Sequence, residues 1–393
     1  MPRPADPGRA ESQAGFVHTF LPGRVVFGAG ALDQVAGEVE GLGVRRALVV
    51  ATKSARDAAD VVEVELGDRF AGRIDGVAQH VPTAVAENAR AKAREVDVDG
   101  VIAIGGGSAI GLAKAVALTG DVMIVAVPTT YAGSEMTPVW GETAGGSKTT
   151  GTDLRVLPRV VVYDPVLSQH LPKKVTAASV ANAIAHCVEA VWTPRADPIT
   201  EVTAVEGLRA LADGLRQAML EPTDLDARGN LLYGACLAGS AMATAGTGLH
   251  HKLCHLLGGT YNLPHAETHA AILPQVARVN APAVPQSAAR LEAALTTTHA
   301  TTGNAGTSST STAEGSSAAT TASTAVAGAG ELASGLFDLF TAADVPTNLR
   351  ELGLAEEQVE EAVKAFKPTD NPIPVTEDLV REILTRAWAG TRP

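Results

Sequence analysis

The string Val101-Ile102-Ala103-Ile104-Gly105-Gly106-Gly107-Ser108 decides the fold. An apolar run of strand length passes straight into three glycines, and a helical stretch at 109–118 follows. A buried strand feeding a glycine turn and then a helix N-terminus gives a nest of backbone N–H groups that suits a pyrophosphate. Glycine permits close backbone approach and positive φ there. The spacing is not the G-x-G-x-x-G dinucleotide fingerprint, and by itself the turn serves equally well as a tight connection. The next strand supplies the second half of the argument, because it ends in Pro128-Thr129-Thr130-Tyr131-Ala132-Gly133-Ser134-Glu135. Two neighbouring strand ends carrying small and hydroxylated residues build the crevice where open parallel sheets bind cofactors. Gly105, Gly106, Gly107, Ser108, Thr129, Thr130 and Ser134 are the expected cofactor contacts.

Outward from this point, strands are predicted at 24–27, 47–51, 100–104, 122–127 and 160–163. Helical periodicity fills 31–42, 54–67 and 84–95 between them, the alternation of a parallel α/β domain. After Asp164-Pro165 the strand signals stop and nearly everything from Ala177 on is helical. The expected architecture is therefore an α/β, Rossmann-like dinucleotide-binding domain over 16–168, then an all-α catalytic domain over 169–393. Residues 1–15 are Pro-, Ala- and charge-rich and read as a disordered tail rather than a signal peptide. Residues 296–330 are almost wholly Thr, Ser, Ala and Gly, a composition that cannot offset ordering entropy, so they read as a flexible insertion. Helical pattern resumes at 331–341.

A net charge of -12 argues against nucleic acid and anionic membranes as partners. No window is apolar for long enough to span a bilayer. Cys187, Cys236 and Cys254 sit in apolar helical patterns without paired spacing, which favours reduced, buried thiols and a cytoplasmic location. The strand at 47–51 ends in Thr52-Lys53-Ser54, where dinucleotide folds usually carry an acidic residue for the ribose. With none here, Thr52 is an expected cofactor contact, and NADH and NADPH are both admissible.

Six of the ten histidines are His186, His250, His251, His255, His265 and His269. Asn182, His186 and Glu189 fall at i, i+4 and i+7 on one helical face, and His251 and His255 at i, i+4 on another. That concentration points to a site. A metal is weakened by Asn182, a poor ligand, but His186, His251 and His265 alone leave it open.

Over the whole chain these features resemble the iron-containing alcohol dehydrogenases, and more narrowly the maleylacetate reductases. The resemblance is carried by Arg24-Val25-Val26-Phe27-Gly28-Ala29-Gly30, by Thr129-Thr130-Tyr131-Ala132-Gly133-Ser134-Glu135-Met136-Thr137-Pro138, and by Lys148-Thr149-Thr150-Gly151. It extends through Arg155-Val156-Leu157-Pro158-Arg159, Asn182-Ala183-Ile184-Ala185-His186, His250-His251-Lys252-Leu253-Cys254-His255 and Asn262-Leu263-Pro264-His265-Ala266-Glu267-Thr268-His269. In the metal-dependent relatives the ligands align with Asn182, His186, His251 and His265; in the maleylacetate branch the aspartate is replaced, as here, and no metal is expected. Thr152 and Ser147 stand where basic residues are usual, Ser179-Val180-Ala181 where Ser-Gly-Met is, and the 296–330 segment where an ordered helix is.

The resemblance implies conjugate reduction of maleylacetate, a short 4-oxo-2-enedioate, to 3-oxoadipate by NADH or NADPH. Its rivals are a metal-dependent alcohol dehydrogenase and a paralogue recruited to a specialised biosynthetic pathway. His251, His265 and His186 are expected around the developing enolate oxygen, with Asn182 as neutral donor and His255 or His250 as proton source. Lys148 and Lys252 are expected to hold the substrate carboxylates, with Arg155 and Arg159 behind them. Tyr131 and Ser134 are placed at the nicotinamide end, Lys148 also serves the cofactor, and the assembly implied is a homodimer.

Overall fold

The computed structural model describes residues 15–78, 81–144, 147–297 and 330–393. Residues 1–14 of the expected tail and 298–329 of the expected insertion at 296–330 lie outside the described residues, while Thr296 ends one helix and Gly330 begins the next.

Six strands form one parallel sheet: β1 (Arg24–Phe27), β2 (Ala47–Ala51), β3 (Phe70–Ile74), β4 (Gly100–Gly105), β5 (Met123–Pro128) and, later in the chain, β8 (Val160–Tyr163), in the order β1-β8-β5-β4-β2-β3. Every residue of β2 and β4 is buried, as their unbroken apolar sequences require of central parallel strands. The helices α1 (Val35–Gly41), α2 (Arg56–Leu66), α3 (Thr83–Glu95) and α4 (Gly107–Thr119) connect them. The chain runs outward from β2 to β3, then returns to start β4 on the other side of β2, so the direction of winding reverses between β2 and β4. The loops leaving those two strands meet there, with the Thr52 N–H donating to Ile104 O at 3.1 Å.

Two features were not anticipated. β3, Phe-Ala-Gly-Arg-Ile, is half-buried throughout at the sheet edge and carries neither alternation nor a continuous apolar run. The antiparallel hairpin of β6 (Val139–Ala144) and β7 (Ser147–Thr152) is rich in Thr, Gly and charged residues and lacks a sustained apolar alternation. It is tied back to α3 by Arg90, whose guanidinium meets Glu142 on β6 as well as Glu87.

From Lys173 onward the described elements are helical apart from one short 3-10 turn: α5 (Lys173–Ala190), α6 (Pro198–Leu220), α7 (Leu225–Ala245), α8 (Leu249–Tyr261), α9 (His265–Asn280), α10 (Pro285–Thr296), α11 (Gly330–Ala342), α12 (Glu356–Ala365) and α13 (Glu377–Ala389). Asp197 and Asp224 cap α6 and α7 by accepting first-turn N–H groups. α5 is the axis of this half, since every residue from Thr176 to Ala190 is buried. Its small and apolar residues all round the helix suit full enclosure. Cys187 and Cys254 are buried thiols; Cys236 is only half-buried, a departure from the expectation.

The two halves meet at a glycine seam. Gly133, at φ 74, lies against α7 so closely that a Cβ on Gly239 would sit 2.1 Å from the Gly133 carbonyl oxygen.

Candidate active site

The crevice at the ends of β2, β4 and β5 is shaped by threonines pressing on the glycine loop. A Cβ on Gly105 (φ 147) would lie 2.7 Å from Thr52 Cγ2, and one on Gly106 2.9 Å from Thr130 Cγ2. Gly107 opens α4 with no side chain capping the helix, so its first-turn N–H groups face the crevice without a side-chain partner. The end of β2 carries Thr52-Lys53-Ser54 and no acidic residue: Lys53 and Ser54 are exposed, and Thr52 Oγ1 meets Ser54 Oγ at 3.2 Å. A glycine cradle at a helix N-terminus with cationic and hydroxyl neighbours fits a nicotinamide dinucleotide. Thr129 is buried, with its N–H on Gly105 O at 3.0 Å, while Ser108, Thr130 and Ser134 are half-buried.

Beneath the crevice lies a residue the sequence did not flag. Lys114 of α4 is buried, and its Nζ donates to Ser134 O (2.7 Å), Thr137 O (2.8 Å), Thr137 Oγ1 (3.1 Å) and Val139 O (2.8 Å). It thus pins the segment between β5 and the hairpin. Burial draws its ammonium down to about 7, against the pull of Glu135. Glu135 is buried too, which raises its carboxyl, and it accepts from Tyr163 Oη at 2.7 Å.

The histidines come from three helices. Asn182, His186 and Glu189 share one side of α5; His250, His251 and His255 lie on α8, and His265 and His269 on α9. Glu189 organises them, although its spacing had marked only a shared helical face. Its Oε2 meets His251 Nδ1 at 2.5 Å, and its Oε1 accepts the His250 backbone N–H at 2.7 Å. The His186 ring stacks on His251, 5.1 Å between centroids and 17° apart. Burial first, and neighbouring imidazoles second, push the His186 pKa well below its ordinary value. Asn182 Oδ1, His186 Nδ1 and His251 Nε2 are buried without a protein partner. Such atoms in one place call for a ligand that satisfies them. His255, exposed, stacks on the half-buried His265 at 5.9 Å between centroids.

Several expected roles need correction. Tyr131 is fully buried, its hydroxyl accepts from Arg228 Nη1 at 2.9 Å, and its N–H donates to Ser179 Oγ at 2.9 Å. It has no free polar group for a substrate. His250 is fully buried with Nε2 on His269 Nδ1 at 2.7 Å, which removes it as a proton source in contact with substrate. Asn182 donates one Nδ2 hydrogen to Ala132 O at 3.4 Å, while its Oδ1 is buried without a protein partner. Arg155 is held by Asp153 at 2.7 Å on the surface. Lys252 and Arg159 are exposed, and the side chain of Lys148, on β7, lies outside the described residues.

Among the described residues, His186, His251 and His265, which align with the iron ligands of the metal-dependent relatives, do not form a gathered donor set. Among the described residues, the group of His, Cys, Asp and Glu side chains whose ligand atoms gather around one point is His250, Cys254 and His269, not His186, His251 and His265. His186 and His251 are stacked face to face, and Asn182 contributes a neutral amide.

Comparison with known proteins identifies the family. The model of the family described as "Iron-containing alcohol dehydrogenase" matches residues 22–165, and that of the C-terminal part of the same family matches 176–388. The chain belongs to the iron-containing alcohol dehydrogenase family and is an NAD(P)H-dependent oxidoreductase. Within that family it stands among the maleylacetate reductases. The maleylacetate reductase of Sphingobium indicum is 42% identical over 380 residues, covering 96% of this chain and 99% of that protein. Maleylacetate reductase 1 of Rhodococcus opacus is 40% identical, covering 98% and 99%. The crystal structure of maleylacetate reductase from Agrobacterium tumefaciens superposes with a TM-score of 0.85 at 36% identity, covering 97% of this chain and 100% of the other.

Proposed function

We propose that this chain reduces the carbon–carbon double bond of maleylacetate to give 3-oxoadipate, a step of aromatic-ring degradation, with NADH or NADPH and without a metal. The observation that carries the reading is end-to-end identity of about two residues in five with curated maleylacetate reductases, 42% over 99% of one of them. The pairing of Glu189 with His251 and the stacking of His186 on that ring support it.

Gly105–Ser108, Thr52, Thr129, Thr130 and Ser134 would hold a reduced nicotinamide dinucleotide, which would supply hydride to the alkene carbon β to the ketone. The electron pair displaced from the double bond then gathers on the ketone oxygen as an enolate. His251 Nε2 is the group we assign to that oxygen: Glu189 fixes the ring through Nδ1 and stabilises it when both nitrogens carry hydrogen. His186, kept neutral by burial, packs the His251 ring, and His265 flanks the oxygen from α9. His255, exposed on α8, is the group we assign to return a proton to the carbon α to the ketone, closing the balance of one hydride and one proton. Lys252, with Lys148, is assigned to the substrate carboxylates.

The protein is further read as a cytoplasmic homodimer. Among the described residues no helix is long and apolar enough to cross a membrane. The edge strand β1 exposes Val25 and Phe27, and the segment before it exposes Phe16, Val17 and Phe20, an apolar face suited to a second copy. Light scattering of the purified protein tests the assembly.

The decisive assay offers maleylacetate to chelator-treated protein with NADH and with NADPH. Stoichiometric oxidation of either cofactor with formation of 3-oxoadipate is expected. Inertness toward maleylacetate, with metal-restored oxidation of simple alcohols, would overturn the proposal.

A further inference from the structure

Behind the reacting groups, three imidazoles form a chain. His250 Nε2 lies 2.7 Å from His269 Nδ1, and His269 Nε2 lies 3.3 Å from His265 Nε2. His250 and His269 are both fully buried, whereas His265, the outer member, is half-buried at the start of α9. We propose that His250 and His269 are positioning residues: a hydrogen-bonded relay that holds the His265 ring and dictates which of its nitrogens carries the hydrogen. The inference rests on the assignment of His265 to the site, but not on the identity of the substrate.

The direction of the relay follows from its inner end. His250 and His269 contact other imidazoles and, for His250, the Cys254 thiol at 3.7 Å, and among the described residues no carboxylate bonds either ring. A charge there is unfavourable, so each ring is neutral, with one donor nitrogen and one acceptor. His250 Nδ1 is buried and has no partner. A buried N–H without an acceptor is the rarer and costlier orphan, so Nδ1 is the bare nitrogen and Nε2 carries the hydrogen. That hydrogen is donated to His269 Nδ1, which obliges His269 to carry its own on Nε2 and to donate it to His265 Nε2. His265, accepting at Nε2, must bear its hydrogen on Nδ1, the tautomer a histidine in water disfavours. The relay therefore makes His265 a donor at Nδ1, the polarity an enolate oxygen needs. It ends blind at His250, which makes it an orienting device and not a conduit for protons to solvent.

Direct hydrogen bonding also explains why these residues gather with Cys254 without serving a metal. Two nitrogens each about 2.0–2.1 Å from a tetrahedral zinc stand roughly 3.3 Å apart, well beyond the 2.7 Å between His250 and His269.

Imidazole 15N NMR of the isotopically labelled wild-type protein tests the inference without any substrate. Hydrogen on Nε2 of His250 and His269 and on Nδ1 of His265 is expected. In H269F the His265 signal should move to the ordinary tautomer mixture. With maleylacetate, H269F should lose about ten- to a hundredfold in kcat, as loss of an outer-shell partner typically does. KM and NADH affinity should change less than twofold, and H269Q, which keeps a donor toward His265, should recover most of the loss. His269 protonated on Nδ1, a His265 tautomer indifferent to H269F, unchanged kcat in H269F, or one zinc per chain lost in H269F would each overturn it. If H269F does not fold, the wild-type tautomers alone decide. If wild-type protein does not reduce maleylacetate, the functional assignment fails while the NMR result still judges the relay.

Discussion

Glu189 holds two successive residues of α8 at once: its Oε2 meets His251 Nδ1 at 2.5 Å and its Oε1 takes the backbone N–H of His250 at 2.7 Å. With the carboxylate 1% exposed, the ring of His251 is fixed in place and in polarity. Glu189→Gln keeps the shape and an oxygen for one of the bonds but loses the charge. It is expected to fold and to lose about ten- to a hundredfold in kcat, the usual effect of altering an orienting partner. Steady-state kinetics beside a thermal melt measure both; wild-type kcat would free His251 from dependence on the pair.

His251 and Lys252 are adjacent but face different surroundings, one 3% exposed and the other on the surface. His251→Ala should lower kcat about a hundred- to a thousandfold with little change in KM, because its contact with the oxygen strengthens in the transition state. Lys252→Ala should raise KM and spare kcat, because a carboxylate contact persists in both states. Similar small effects from both changes would remove the two residues from the site.

Gly107 offers a cleaner probe of cofactor binding than its neighbours. A Cβ there meets only Ala132 Cβ, at 3.9 Å, whereas Gly105 and Gly106 are crowded by threonines. Gly107→Asp puts a carboxylate at the start of α4, favourable for the helix and repulsive to a pyrophosphate. Repulsion of about 4 kcal/mol at 4 Å for an effective dielectric of 20 makes loss of NADH affinity by at least a hundredfold the expected result. Titration should show that loss with the melting temperature unchanged; retained affinity would move the pyrophosphate elsewhere.

Asn182 bears on the metal. Chelation should leave maleylacetate reduction intact, and Asn182→Asp should create affinity for zinc or ferrous iron by adding a carboxylate beside His186. Elemental analysis and activity after dialysis check the two halves of this expectation separately. Activity lost on chelation and restored by a divalent ion would contradict the first.

The buried Lys114 couples stability to pH. With its ammonium drawn to about 7 in the folded state against 10.5 ordinarily, the unfolded chain binds more protons between those values. Stability from this group therefore rises as pH rises from 7 toward 10.5, by at most about 1.4 kcal/mol per pH unit, and is lost as pH falls through 7. Urea unfolding at several pH values should show that slope in the wild type and a shallower one in Lys114→Met. Parallel slopes would mean that Lys114 stays charged throughout.

Much of this was legible in the chain. The run of β-branched residues into Gly105–Gly107 announced the crevice, and the i, i+4, i+7 spacing put Asn182, His186 and Glu189 on one side of α5. What escaped was decided by contacts distant in sequence. Lys114 lies in a helical stretch of small and apolar residues and gives no sign that its ammonium meets carbonyls twenty or more residues away. Tyr131 sat in a string of crevice residues, and only the buried Arg228, 97 positions on, turns its hydroxyl inward. β3 and the β6–β7 hairpin lacked apolar alternation because one is half-buried along its length and the other is built largely from Thr, Gly and charged residues.

The contact between Gly133 and Gly239 restricts the history open to this enzyme. A side chain at 239 would strike the 133 carbonyl, and one at 133 would meet Ala235 O at 3.0 Å on a backbone with φ 74. Neither position can be the first to change, since any single replacement forces apart the strand-end segment and α7. Descendants of this sequence are free to vary around the seam, but a lineage that changed the spacing at the seam would have to move both positions and the helix together.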